Sequence, residues 1–154
     1  MLVKFLLCMV YTFVFQALAF AGDHFIDILY HPYLVHFPIA FFFLEGFLVL
    51  LWKITSKDKY EEFSYLTLRL GVITSVITMI SGYIDAGGIN PMVKTHFLFA
   101  LSVFILNIIR WILKKKYGQE VWTGCLAYLY VLMLLVSMAL VGIVGHLGGK
   151  LVFF

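Results

Sequence analysis

Polar residues in this chain fall into short clusters separated by apolar stretches of about 20 residues, the length a helix needs to cross a bilayer's hydrocarbon core. Four such stretches cover about 32–52, 63–86, 93–113 and 122–145. A further one, residues 1–21, carries Lys4, a long apolar run and the small residues Ala17, Ala19 and Ala21 ahead of Gly22-Asp23. That is the pattern of a signal peptide or of an uncleaved signal-anchor helix. Residues 22–154 then form a single domain. Gly87-Gly88 followed by Asn90-Pro91 reads as a helix stop and a turn. The connections are short, so neighbouring helices should run antiparallel. The expected fold is an all-α membrane protein: an antiparallel four-helix transmembrane bundle preceded by a signal peptide or signal-anchor helix.

Composition supports the bilayer as solvent. Hydrophobic residues make up 64% of the 154 and charged ones 12%, more apolar surface than a water-soluble core of this size can hide. The net charge is +3, but the lysines sit where they decide orientation rather than ligand binding. Lys53, Lys57 and Lys59 occupy one connection, and Lys114, Lys115 and Lys116 follow Arg110 in another. These two loops should be cytoplasmic by the positive-inside rule, and the opposite side holds only Lys94 and Lys150 against Asp23, Asp27 and Asp85. The expected location is the bacterial inner membrane, with the carboxyl end outside. Nucleic acid is not an expected partner. Cys8 and Cys125 lack CxxC or CxxCH spacing, which argues against a disulfide framework and covalent haem attachment. No GxxxxGK, HExxH or GxSxG motif is present, and the Ser and Thr residues of the second stretch (Ser75, Thr78, Ser81) are expected to bond back to helix carbonyls.

The candidate chemistry lies in the histidines. Counting spans brings His31, His36, His96 and His146 toward one membrane face. His36 and His96 each lie roughly 5 Å inside a span; His24 reads as a solvated residue. Several imidazoles at one depth suit a metal or haem, because a b-type haem takes axial nitrogens from two different helices. Isolated interfacial histidines are also common, and for His31 and His146 that plain reading is the stronger. Asp85 reaches the same layer and could orient a ligating ring by accepting its second N–H, or serve as an ordinary helix end or proton relay. Pro38 should disturb the hydrogen bond to the carbonyl of Leu34; the resulting kink could aim His36 into the bundle, or a proline this near a helix start could mean little. Nearer the other face, Glu45 and Arg69 reach similar depths on adjacent helices and are expected to form a buried ion pair, because a lone charge at the centre of a span costs about 2.5 to 3.5 kcal/mol. Asn107 and Arg110 could extend that layer.

The segment His31-Pro-Tyr-Leu-Val-His-Phe-Pro-Ile-Ala40, with Ser81-Gly-Tyr-Ile-Asp85, His96 and Gly145-His-Leu-Gly-Gly-Lys-Leu-Val152, resembles the bacterial membrane family catalogued as domain of unknown function 2231. The resemblance spans about residues 30–152. It implies a four-helix membrane domain of a kind found beside or fused to redox modules, and its pattern falls on His31, Pro32, His36, Pro38, Asp85, His96, Gly148 and Gly149. No cytochrome or Rieske-like domain is appended in these residues, so further redox centres are expected on partner subunits.

These readings converge on a membrane subunit that binds haem b through His36 and His96, with Asp85 behind a ligand. It would exchange electrons between quinol or a membrane complex and an exported redox partner such as a cytochrome. The other expectation is a non-redox anchor or accessory subunit, or a small proton- or metal-linked transporter.

Overall fold

The computed structural model of the chain describes residues 31–89 and 91–153. The leader expected at 1–21 and His24 lie outside them. The elements run α1 (His31–Leu34), α2 (His36–Thr55), α3 (Asp58–Asp85), α4 (Pro91–Tyr117), a 3-10 turn (Gly118–Trp122) and α5 (Gly124–Phe153), with no strand among the described residues. Four segments are long and apolar enough to cross a membrane: His31–Thr55, Asp58–Asp85, Pro91–Trp122 and Gly124–Leu151. The all-helical four-span expectation therefore holds.

Helix ends follow from local chemistry. Ser56 takes the left-handed conformation (φ 53°) and donates its N–H to the Trp52 carbonyl at 2.8 Å, which stops α2 and leaves a two-residue connection. Asp58 and Glu61 occupy the first turn of α3, where carboxylates complement the helix dipole; α3 accordingly starts five residues before the apolar run does. Gly87 (φ 62°) and Gly88 (φ 109°) end it, their N–H groups donating to the carbonyls of Ile84 and Tyr83. Lys114, Lys115 and Lys116 close α4. α5 runs through the Gly145-to-Lys150 segment to Phe153 rather than stopping near residue 145. Without water to solvate opened backbone groups, glycines cost less helix in a bilayer than in solution.

α2 and α3 form one tightly packed hairpin, α4 and α5 a second, and the two meet less extensively through α3 against α4 and α2 against α5. Close contacts fix the register. A Cβ on Gly71 would lie 2.5 Å from the Phe42 ring, and one on Gly46 equally close to the Met138 sulfur. Phe42, Leu68, Val72, Val103 and Val141 make the central apolar cluster. Elsewhere the usual distribution is inverted: Ile73, Ile77, Ile80, Ile105 and Leu132 face outward, while Glu45, Glu61, Ser75, Thr78, Asn107, Arg110, Lys114 and Ser137 are buried. Lipid solvates the first set, and helix packing must satisfy the second. As expected, the hydroxyls of Ser64, Thr67, Ser75 and Thr78 donate to carbonyls three or four residues back.

The expected Glu45–Arg69 pair is corrected by the structure. Glu45 pairs with Arg110, the two side chains 1% and 0% exposed. Arg110 also donates to Glu45 Oε2 at 3.1 Å and to Asn107 Oδ1 at 2.8 Å, and Asn107 Nδ2 donates to Ser137 Oγ at 2.7 Å. The guanidinium lies 4.9 Å from the centre of the buried Tyr130 ring. Arg69 does stand at the depth of Glu45, but it is turned about 100° around the helix axis from Leu68, which occupies the interface. A second buried pair, Glu61 with Lys114, ties α3 to α4; Glu61 also accepts from Gln119 Nε2 (3.0 Å) and Trp122 Nε1 (3.1 Å).

Replacing one partner of the central pair should be worse than replacing both. Glu45→Ala is expected to cost about 3–5 kcal/mol by leaving the Arg110 charge buried and unpaired, whereas Glu45→Met combined with Arg110→Leu should lose far less. Unfolding of the detergent-solubilised chain, followed by circular dichroism, checks this; equal losses would mean the pair is not coupled.

Candidate functional site

The site is assembled where α1 lies against the end of α3. Pro38 has no N–H to give the Leu34 carbonyl, and Thr78 Oγ1 approaches that carbonyl from across the interface at 3.2 Å, its one hydrogen shared with the Thr74 carbonyl at 2.8 Å. Val35, between α1 and α2, keeps helical angles (φ −63°, ψ −24°) and donates its N–H to the His31 carbonyl at 3.1 Å, so the two run on as one 25-residue segment. The expected loss at the Leu34 carbonyl is present, and it directs that carbonyl toward α3 rather than turning His36 inward. Asp85 Oδ2 accepts the main-chain N–H of His31 at 2.7 Å. His31 Nδ1 lies 2.9 Å from the Thr78 carbonyl and 3.3 Å from Ser81 Oγ, which itself donates to that carbonyl. A carbonyl only accepts, so His31 Nδ1 carries the proton and, in the neutral ring, Nε2 holds the lone pair.

The His31 ring rests on Gly82, where a Cβ would sit 2.7 Å from its Cε1; the His96 ring rests on Gly148, where a Cβ would sit 3.1 Å from its Cε1. Glycine at both places lets an imidazole lie on a helix backbone. The two rings approach with centroids 6.0 Å apart and planes at 86°. His96 approaches the Val144 carbonyl, yet its Nδ1 is buried with no hydrogen-bond partner. His31 comes with the α2–α3 hairpin and His96 with α4, so the pair lies at the seam between the hairpins.

The candidate residues thus separate. His31, His96 and Asp85 are brought together, whereas His36 and His146 are exposed. His36 does not pair with His96; it lies five residues beyond His31, on the outward side of the same span. Asp85 orients the chain entering α1 through an amide, and the ring N–H it was expected to hold goes to Thr78. The roles of Thr78 and Ser81 as ring anchors were missed. A signal was available: Thr78, Ser81, Gly82 and Asp85 recur at helical spacing and define one face of α3.

Among the described residues no group of three or more His, Cys, Asp and Glu is placed to hold a metal ion. What the site offers is two imidazoles on separate hairpins, one with its tautomer fixed by a backbone carbonyl.

A bilayer-length bundle with polar residues inside, apolar residues outside and a histidine pair near one end defines a polytopic membrane protein. The chain belongs to the family described as predicted membrane protein DUF2231, whose model matches residues 28–154. No curated protein and no solved structure matches it.

Gly82→Ala should expel the His31 ring, because the neighbour it would meet is the ring itself at 2.7 Å. In nitrogen-15 spectra of the imidazoles, the wild-type chain is expected to show His31 protonated at Nδ1, and the variant should lose that signature. Gly148→Ala, with a 3.1 Å approach, should shift His96 less. An unchanged His31 tautomer in Gly82→Ala would refute the anchoring.

Proposed function

We propose that this protein is an electron-transfer subunit of the bacterial inner membrane in which His31 and His96 hold a b-type haem. It would exchange electrons between quinol or a membrane complex and an exported redox partner. The observation that carries this reading is the imidazole pair itself. The rings come from different hairpins, and their 6.0 Å separation is of the order expected for two imidazoles on one metal, given metal–nitrogen bonds of about 2 Å. His31 has its Nδ1–H bound to a carbonyl, the arrangement that fixes the orientation and basicity of a ligating histidine. Two protein ligands are all that a porphyrin iron asks of a protein, whereas zinc sites usually take three or four.

In this reading the haem supplies one-electron chemistry. The chain's own residues do the positioning: Asp85 holds the His31 amide, Thr78 and Ser81 hold the His31 ring, and Gly82 and Gly148 seat the two imidazoles. His31 replaces His36 as the partner of His96. The lysine-rich end faces the cytoplasm by the positive-inside rule, which puts the histidine pair on the outer side, within reach of an exported partner. The buried Glu45–Arg110–Asn107–Ser137 network favours a second reading, an anchor or accessory subunit whose polar interior specifies helix packing.

The purified chain, expressed with ample haem supply, should show a dithionite-reducible b-type spectrum and about one haem per chain by pyridine haemochrome. His31→Ala and His96→Ala should each abolish it, and His36→Ala should leave it in place. A chain without haem under these conditions would leave the anchor reading standing.

A further inference from the structure

Arg69 is a charged residue within a membrane-length helix that forms no ion pair with a described residue. It stands opposite about position 44 of α2, because Phe42 faces Gly71 and His31 faces Gly82 across the hairpin. The Trp layer at the lysine end marks the nearer interface: Trp52 and Trp122 pack at 4.8 Å, with Lys53 Nζ 4.3 Å from the centre of the Trp52 ring. Position 44 lies eight residues deeper than Trp52, roughly 12 Å. The guanidinium packs back over the Tyr65 ring, 5.0 Å from its centroid, one turn nearer that layer. Along the helix axes Tyr65 lies about 6 Å deeper than Trp52, so the guanidinium is rooted inside the span and reaches back toward the Trp layer. Arg69 makes no ion pair with a described residue, and its Nε is buried with no hydrogen-bond partner.

The open side of this group is lateral. Ile73, Val76 and Ile80, at successive helical spacings beyond it, are exposed, so Arg69 flanks the lipid-facing stripe of α3, while Tyr65 packs toward the core. A guanidinium at the lipid-facing edge of a span needs an oxygen acceptor. An acceptor that approaches from the lipid side arrives on a molecule that itself dissolves in the bilayer.

We propose that Arg69 and Tyr65 form a lateral binding site for a lipid-soluble ligand whose head presents an oxygen acceptor: a quinone carbonyl or an acyl carboxylate. Arg69 donates to the oxygen, and the Tyr65 ring backs the guanidinium and holds it at this depth. The site is independent of the histidine pair and does not require haem.

Native mass spectrometry of the full chain released from micelles tests this, with decylubiquinone and palmitate as separate probes. The wild-type chain is expected to retain one molecule of at least one probe, and which one identifies the ligand as quinone or acyl carboxylate. Arg69→Met should weaken that binding at least about tenfold, the effect of losing a charge-assisted hydrogen bond. Its unliganded melting temperature should not fall, since a lone charge is removed. Ile73→Trp, which keeps the arginine but fills the lipid side beside it, should weaken binding as well and decides the matter if Arg69→Met does not fold. Retention of neither probe by the wild-type chain, or wild-type affinity in a folded Arg69→Met or in Ile73→Trp, overturns the proposal.

Discussion

Hydrocarbon offers a buried charge no partner, so the Glu45–Arg110 pair constrains everything around it. Both groups lie in the interior with almost no exposed surface, and their attraction offsets desolvation only while α2 and α4 keep their relative height and rotation. Asn107 and Ser137 extend the constraint to α5. The pair therefore joins the two hairpins at a point where neither is held by an extensive apolar interface. Glu61 and Lys114 repeat the device nearer the lysine end. On α4 the buried positions Val103, Asn107, Arg110 and Lys114 recur at intervals of four, three and four, so a seam of coiled-coil spacing carries polar groups where a soluble bundle would carry leucine.

The same accounting of polar groups builds the histidine end. A proline removes one N–H, a carbonyl is left open, and a threonine hydroxyl on the next helix, shared with its own helix, comes against it. Once α1 is fixed there, Asp85 and Thr78 determine where the His31 amide and ring lie. The imidazole pair thus follows from backbone satisfaction, and each ring fits because its neighbouring helix presents a glycine.

The span count, the short antiparallel connections and the depth of each polar residue were legible in the sequence, because membrane thickness and helical rise convert residue number into height. Azimuth was not legible in the same way. Arg69 and Arg110 were both candidates for the layer of Glu45, and depth alone could not separate a side chain facing the interface from one a single residue around the axis. His36 and His31 differ similarly: their heights were both near one face, but five residues place them on different sides of one helix, and the packing of α1 on α3 decides which ring turns inward. A four-helix bundle whose every face is apolar gives little amphipathic signal, so rotation becomes visible only when side chains meet.

Between the ionic network and the imidazole pair lies the layer of Phe42, Val103 and Val141, with the Ser75 hydroxyl beside it bound to the Gly71 carbonyl. Phe42 stands about midway along its span, eleven residues from His31 and ten from Trp52. A charge carried from the imidazoles past that layer would therefore cross roughly half of the membrane's voltage, about 1 kcal/mol for each 100 mV, whereas a charge exchanged at the imidazoles with the water beyond them would cross little of it.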